Sequence, residues 1–329
     1  MKLKFLLLYL VTTLTVFGII FASKANAASP ESILVEMVPP YPAPHENTSI
    51  ALNSYVSNLN SVLISWSVNG KIIASEMGKK TLSVTAPGTG EKMDIVVTIY
   101  LPDGAIEKEI TIKPAVMLLL FQANDSYVPP FYKGKALPTP DSEVKVVAMP
   151  EARTSAGLID SKNMVYAWKR DYNNSVDGSG YGKNYFLYVN DYLEDTNAIS
   201  VRASTTDQEY SSEARITIRT ALPKILFYKN DNSLGTLWDI ALANTHKIQG
   251  PEIVQAIPYF MSPKELRTPY LIWSWFINDN QVDLSTSLRK NLIPLQAESG
   301  THGTSKLKLN IENGYKIFQT VEKEINIEF

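Results

Sequence analysis

Apolar and polar residues alternate with a period of two in short runs along most of the chain, as in Ile110-Thr111-Ile112, Ile216-Thr217-Ile218 and Ile325-Asn326-Ile327. That spacing puts every second side chain on one face of an extended backbone and predicts half-buried β-strands. A further alternating run precedes each of these closers: MDIVVTIYL, AISVRAST and LKLNIEN. Turn signals at Pro102-Asp103-Gly104 and Asn313-Gly314 separate the two runs of the first and last pairs and predict terminal hairpins. No long stretch carries the helical period. LGTLWDIALANTH, Leu234 to His246, comes nearest, but Gly235 and the lack of a clean apolar stripe weigh against a helix. The glycine-rich stretches PGTGEK (Pro87–Lys92) and GSGYGK (Gly178–Lys183) precede no helical pattern, so they read as hairpin turns rather than phosphate cradles.

The runs belong to a repeat. VLISWSVNGK around Trp66, MVYAWKRDYN around Trp168 and YLIWSWFINDN around Trp275 each join a β-rich run, a Trp and a polar turn with Asn or Asp three residues on. The tryptophans are 102 and 107 residues apart, a span suited to one sandwich domain each. Short strands at regular spacing, a central Trp and a closing hairpin predict an all-β chain of three tandem Ig-like Greek-key β-sandwich modules. The modules are placed at 33–114, 116–222 and 223–329, with Trp66, Trp168 and Trp275 as structural core and very short linkers at Pro114 and Pro223. Linkers that short make the expected assembly semi-rigid.

The N-terminal pattern is different. Two lysines in Met1–Lys4 precede an uncharged run from Phe5 to Ala22, and Ala25-Asn26-Ala27 has the small-x-small form of a cleavage site. Residues 1–27 therefore read as a signal peptide, with an uncleaved N-terminal anchor as the alternative because 18 apolar residues just span a bilayer. Export follows, to the extracellular space or the cell envelope. The chain has no cysteine, so each module has to be held by its core without disulfides. Cleavage after Ala27 leaves 28 basic against 33 acidic residues with no basic run, which argues against nucleic acid as a partner and leaves the N-terminal segment as the one route to a membrane.

Three places offer chemistry. The segment SYVPPFYKGKALP carries Tyr127, Phe131 and Tyr132 around Pro129-Pro130, and aromatic faces on a stiff loop suit sugar rings or a Pro-rich peptide. The competing reading is packing, because the same loop recurs: Leu118 to Trp168 and Ile225 to Trp275 are both 50 residues. In DYNNSVDGSG, Asp171, Asn173, Ser175 and Asp177 alternate as oxygen donors do in a calcium loop. The glycine falls late and Gly182 stands where a bidentate Glu is expected, so a plain polar turn competes with Ca2+, and no other cofactor is expected. Asp191, Glu194 and Asp195 complete that site only if the fold joins the two loops. Three scattered histidines (His45, His246, His302) and no nucleophile or metal signature point away from an enzyme.

Val128 to Leu137, VPPFYKGKAL, together with the three Trp strands, resembles the exported tandem Ig-like proteins of small-genome, candidate-phylum bacteria. The resemblance implies fold and export and no biochemical activity. The third module departs from it, with LGTLWDI in place of the Pro-Pro-Phe-Tyr portion. The expectation is a non-catalytic cell-surface or envelope protein, a semi-rigid spacer with adhesion or protein-binding modules whose partner is a protein or a cell-surface polymer. The alternative is a carbohydrate-binding module using the loop at 127–132.

Overall fold

The computed structural model describes residues 32–154, 157–264, 266 and 270–329. The signal segment 1–27 lies outside the described residues, and no described helix is long and apolar enough to cross a membrane. The chain divides after Pro114 into two compact units.

The first unit is one sandwich of seven strands: β1 (Ile33–Val38), β2 (Asn47–Ser54), β3 (Leu63–Val68), β4 (Lys71–Met77), β5 (Thr81–Thr85), β6 (Met93–Leu101) and β7 (Gly104–Ile112). One sheet has the order β1-β2-β5 and the other β4-β3-β6-β7, all pairs antiparallel. Sequential strands thus switch sheets, the Greek-key signature. Alternation decides what is buried: Ile95, Val97 and Ile99 of β6 face Ile50 and Leu52 of β2 across the core, with Trp66 fully buried among them. The Pro102-Asp103 turn closes the β6–β7 hairpin with Leu101 opposite Gly104. Residues 87–92 do not form a hairpin turn; they carry the chain from β5 in one sheet to β6 in the other.

The second unit holds two sandwiches. The first comprises β8 (Val116–Ala123), β9 (Glu143–Glu151), the short ribbon β10 (Arg153–Thr154) and β11 (Gly157–Leu158), β12 (Val165–Arg170), β13 (Asn173–Tyr181), β14 (Tyr185–Val189), β15 (Thr196–Ser204) and β16 (Ser211–Arg219). Its sheets run β14-β9-β8 and β13-β12-β15-β16, repeating the pattern of the first unit. Here too a turn expectation fails: Gly178 and Gly180 are residues of strand β13, and Gly178 is there because a Cβ would lie 2.7 Å from the ring of Phe186, which stacks on Trp168.

The other sandwich comprises β17 (Lys224–Asp231), β18 (Gly235–Thr236), β19 (Thr245–Lys247), β20 (Glu252–Tyr259), β21 (Leu271–Ile277), β22 (Asn280–Gln281), β23 (Leu292–Leu295), β24 (Thr304–Asn313) and β25 (Val321–Glu328). Its sheets run β18-β17-β20-β23 and β19-β25-β24-β21-β22, and β19 joins β25 in parallel. The segment 234–246 is not helical; it holds β18 and the start of β19. Asn313-Gly314 does not make a tight turn either. Asn313 Oδ1 accepts from the amides of Tyr315 and Lys316, opening a loop over 314–320 that reaches back to the preceding sandwich.

Each sandwich has its own apolar core around its Trp. A fourth cluster, Tyr228, Ile257, Tyr259 and Phe260 with Tyr127, Val128, Tyr132 and Leu137 against it, belongs to neither of the last two sandwiches alone.

Candidate functional site

That fourth cluster is where the aromatic loop of the sequence sits. The chain leaves β8 at Ala123 and enters β9 at Glu143, and the intervening segment lies on the end of β20. Tyr127 pairs by backbone with the third module: its amide donates to Met261 O at 2.7 Å, and its carbonyl accepts from the Phe260 amide at 2.6 Å. Tyr132 meets Tyr259 and Phe260 edge-on, with centroids 5.6 and 6.1 Å apart, the favoured geometry for ring quadrupoles. The residue two places on has to be small, because a Cβ on Gly134 would lie 2.4 Å from the Tyr132 hydroxyl. Burial holds the Tyr127 phenol above its ordinary pKa. The Tyr259 phenol is pushed up further, by burial first and then by its 2.6 Å hydrogen bond to Tyr228. Of the three aromatic candidates only Phe131 faces solvent, at 84% exposure, on a backbone with φ of 64°.

Polar groups lock the same seam. Asp125, almost fully buried, pairs with Lys316 and accepts from Ser262 Oγ at 2.5 Å. Gln319 is wholly buried; its amide nitrogen donates to Pro140 O at 2.8 Å and to Thr139 Oγ1 at 3.3 Å, while its oxygen accepts from Ser262 N and Asn313 Nδ2. Thr139 Oγ1 donates to Phe260 O at 2.9 Å. At the rim, Tyr192 and Phe318 stack with centroids 3.8 Å apart and planes 3° from parallel. A buried charge with one partner removed is costly, so this set holds the two sandwiches in one arrangement.

Beside the seam lies a groove of about 710 Å3. The preceding module contributes Tyr127 and Pro130, and the third module contributes Trp238, Gln255, Trp273, Arg289, Lys290 and Asn291 among others. Trp238 stands seven residues after Asp231, as Tyr132 stands seven after Asp125, so the repeat places a large aromatic there in both modules. Its ring leans on Tyr228 with centroids 5.4 Å apart. Trp273 shares a strand face with Trp275, two residues on, but lies nearer the end of the sandwich and is only partly covered. Neither tryptophan is among the candidate site residues named from the sequence. The usable signal is the second Trp two positions before the core one.

In the stretch with calcium-loop spacing, Asp171 clips a turn to the neighbouring strand. Asp171 has φ of 55°; its amide donates to Ala198 O at 2.6 Å and its Oδ1 accepts from Ala198 N at 2.9 Å. Asn69 and Asn278 hold the same place three residues after Trp66 and Trp275, with φ of 50° and 47° and the same two-way bond to Asp94 and Lys306. The short polar residue tolerates the left-handed backbone and clips the turn to the neighbouring strand. The fold does bring the second acidic loop near, but around a cation: Arg170 lies 4.0 Å from Asp171 and 2.7 Å from Glu194, and also bonds Asn197 Oδ1 at 2.8 Å. Asn173 and Asp177 lie exposed along β13. Among the described residues no group of three or more His, Cys, Asp or Glu is placed to hold a metal ion.

The fold and the seam define an all-β chain of three tandem Ig-like Greek-key sandwiches whose last two are interlocked. No family model matches the chain, and no curated protein matches it. Among solved structures it is similar to the fibronectin(III)-like modules of Clostridium thermocellum CbhA, at 17% identity and a TM-score of 0.27 over 57% of this chain and 94% of that one. It is similar also to three N-terminal domains of the bacteriophage RB49 Highly Immunogenic Outer Capsid protein, at 10% identity and a TM-score of 0.24 over 90% and 97% of the two chains. Drosophila OTK extracellular domains 3–5 match at 12% identity and a TM-score of 0.22 over 87% and 92%.

Proposed function

We propose that the chain is a non-catalytic, exported surface or envelope protein, a semi-rigid spacer that presents adhesion or protein-binding surfaces and needs no cofactor. The observation that carries this reading is the seam. Tyr127 and Tyr132, the aromatic residues most suggestive of a site in the sequence, are used to fix one sandwich on the next. The more crowded titratable groups are likewise tied into structural contacts, Arg170 with Glu194, Asp125 with Lys316 and His246 with Glu252. Protease treatment of intact cells tests the reading. Cleavage of the native protein with cytosolic markers untouched, in intact cells or once only the envelope is opened, supports it, and protection until the cytosolic markers themselves are released overturns it.

A second reading, carbohydrate binding at the aromatic loop, is favoured by one observation. The groove beside the seam includes Tyr127 and Pro130 from that loop in its wall.

A further inference from the structure

The groove at the seam is lined by three aromatic side chains, Tyr127, Trp238 and Trp273, drawn from two modules and three separate segments. Among the described residues two cations, Arg289 and Lys290, lie on it and no carboxylate does. Lys290 is anchored, its ammonium bonded to the carbonyls of Leu284 and Ser285. Gln255 Oε1 is occupied by Asn230 Nδ2 at 2.7 Å and Thr236 Oγ1 at 2.6 Å, which turns its remaining amide hydrogens into the available function. Arg289 is exposed, and among the described residues its guanidinium has no salt bridge. These make a surface of aromatic side chains beside amide and guanidinium donors, carrying local positive charge on a protein whose formal net charge is −2.

We propose that this groove binds an acidic polysaccharide, a chain of pyranose rings bearing carboxylates. The inference rests on the second reading of the function, and moves the stacking surface from Phe131 and Tyr132 to Trp238 and Trp273. Pyranose rings have an apolar face that suits an aromatic plane, and hydroxyl and carboxylate oxygens at the edge that accept from amide and guanidinium donors. A groove of about 710 Å3 is the size of a small-ligand site and accommodates a few sugar rings. A Pro-rich peptide shares the liking for aromatic grooves but gives the two cations nothing to meet. A polynucleotide needs a track of many cations, and among the described residues the groove has two.

The test uses the full chain retained on immobilised polygalacturonate, with dextran and poly-L-proline resins as comparisons. Retention on polygalacturonate that weakens with added salt and falls about ten-fold in Arg289→Gln and in Trp238→Ala supports the proposal. Arg289 is exposed, so its variant keeps the fold, and near-ultraviolet circular dichroism checks the Trp238 variant. Binding to dextran as tight as to polygalacturonate, or polygalacturonate binding untouched by Arg289→Gln, overturns the acidic ligand and leaves carbohydrate binding standing. Loss of binding to both sugars overturns the proposal and the second reading together, and retention on poly-L-proline alone reassigns the groove to a protein partner.

Discussion

The indole Nε1 of Trp168 donates to the carbonyl oxygen of Lys183 at 2.8 Å, across the space between the two sheets. The same bond recurs from Trp66 to Lys79 O at 2.8 Å and from Trp275 to Lys290 O at 2.9 Å. In each module the accepting residue stands two positions before a strand of the opposite sheet, so the buried indole satisfies its one donor and fastens the sheets at the same time. Replacing Trp275 by Phe keeps most of the volume and removes the donor. The expected cost is about 1–3 kcal/mol, read as a lower denaturant midpoint, whereas Trp275→Ala adds a cavity and costs about 3–5 kcal/mol.

Asp171 and its amide counterparts Asn69 and Asn278 make the same clip to the next strand. Asp171→Asn is therefore expected to leave the melting temperature within a degree or two and to leave any calcium response unchanged, since an amide serves in the other modules. Asp171→Ala loses the acceptor and costs about 1 kcal/mol. A wild-type melting temperature that rises with calcium and stops rising in Asp171→Asn contradicts this assignment.

Asp125 and Lys316 are paired inside the seam. Asp125→Ala leaves a largely buried ammonium without its carboxylate and is expected to cost about 3–5 kcal/mol. Changing Asp125→Leu together with Lys316→Met removes both charges and is expected to restore much of that loss. Spin labels on β13 and β22 read the consequence. Their distance distribution is narrow in the wild type and broadens in Asp125→Ala.

Burial pushes the phenols of Tyr166 and Tyr188 up to about 12, and that of Tyr259 higher than the ordinary value. A phenol whose folded pKa exceeds its unfolded value near 10 gives up no stability below that pH. The stability then falls as the pH climbs from the unfolded toward the folded pKa, because only the unfolded chain ionises there. Tyrosinate absorbance is expected to rise in two stages. The buried phenols of Tyr166, Tyr188 and Tyr259 make the later stage, and their ionisation appears together with loss of near-ultraviolet dichroism. A single smooth titration with the fold intact runs against this.

Strands and cores were legible in the sequence because alternation is a local signal: Ile95, Val97 and Ile99 announce their shared face within five residues. The Asn or Asp after each Trp was visible as a pattern, and its role as a clip was not, since the partner is a backbone amide some 25 residues away. The Lys carbonyls were invisible for the same reason, as any residue supplies one. The seam was the least legible feature. Thr139 reaches Phe260 and Lys316 reaches Asp125 across gaps of 121 and 191 residues, with no periodicity to mark either. The glycine-rich stretch at 178–183 misled because glycine signals a turn and equally a strand position crowded by a neighbouring ring.

The interlocked seam also sets what recombination can do with this chain. Tandem sandwiches are ordinarily gained, lost and reordered as separate beads, each with a self-sufficient surface. Here the loop that follows β8 pairs with Met261 and Phe260 of the next module, and the buried Gln319 donates across the seam to Pro140 O and Thr139 Oγ1. A duplication or swap that cut at Pro223 would leave aromatic and amide groups bare on both pieces. The heritable part is the pair, residues 115–329 carried as a single cassette.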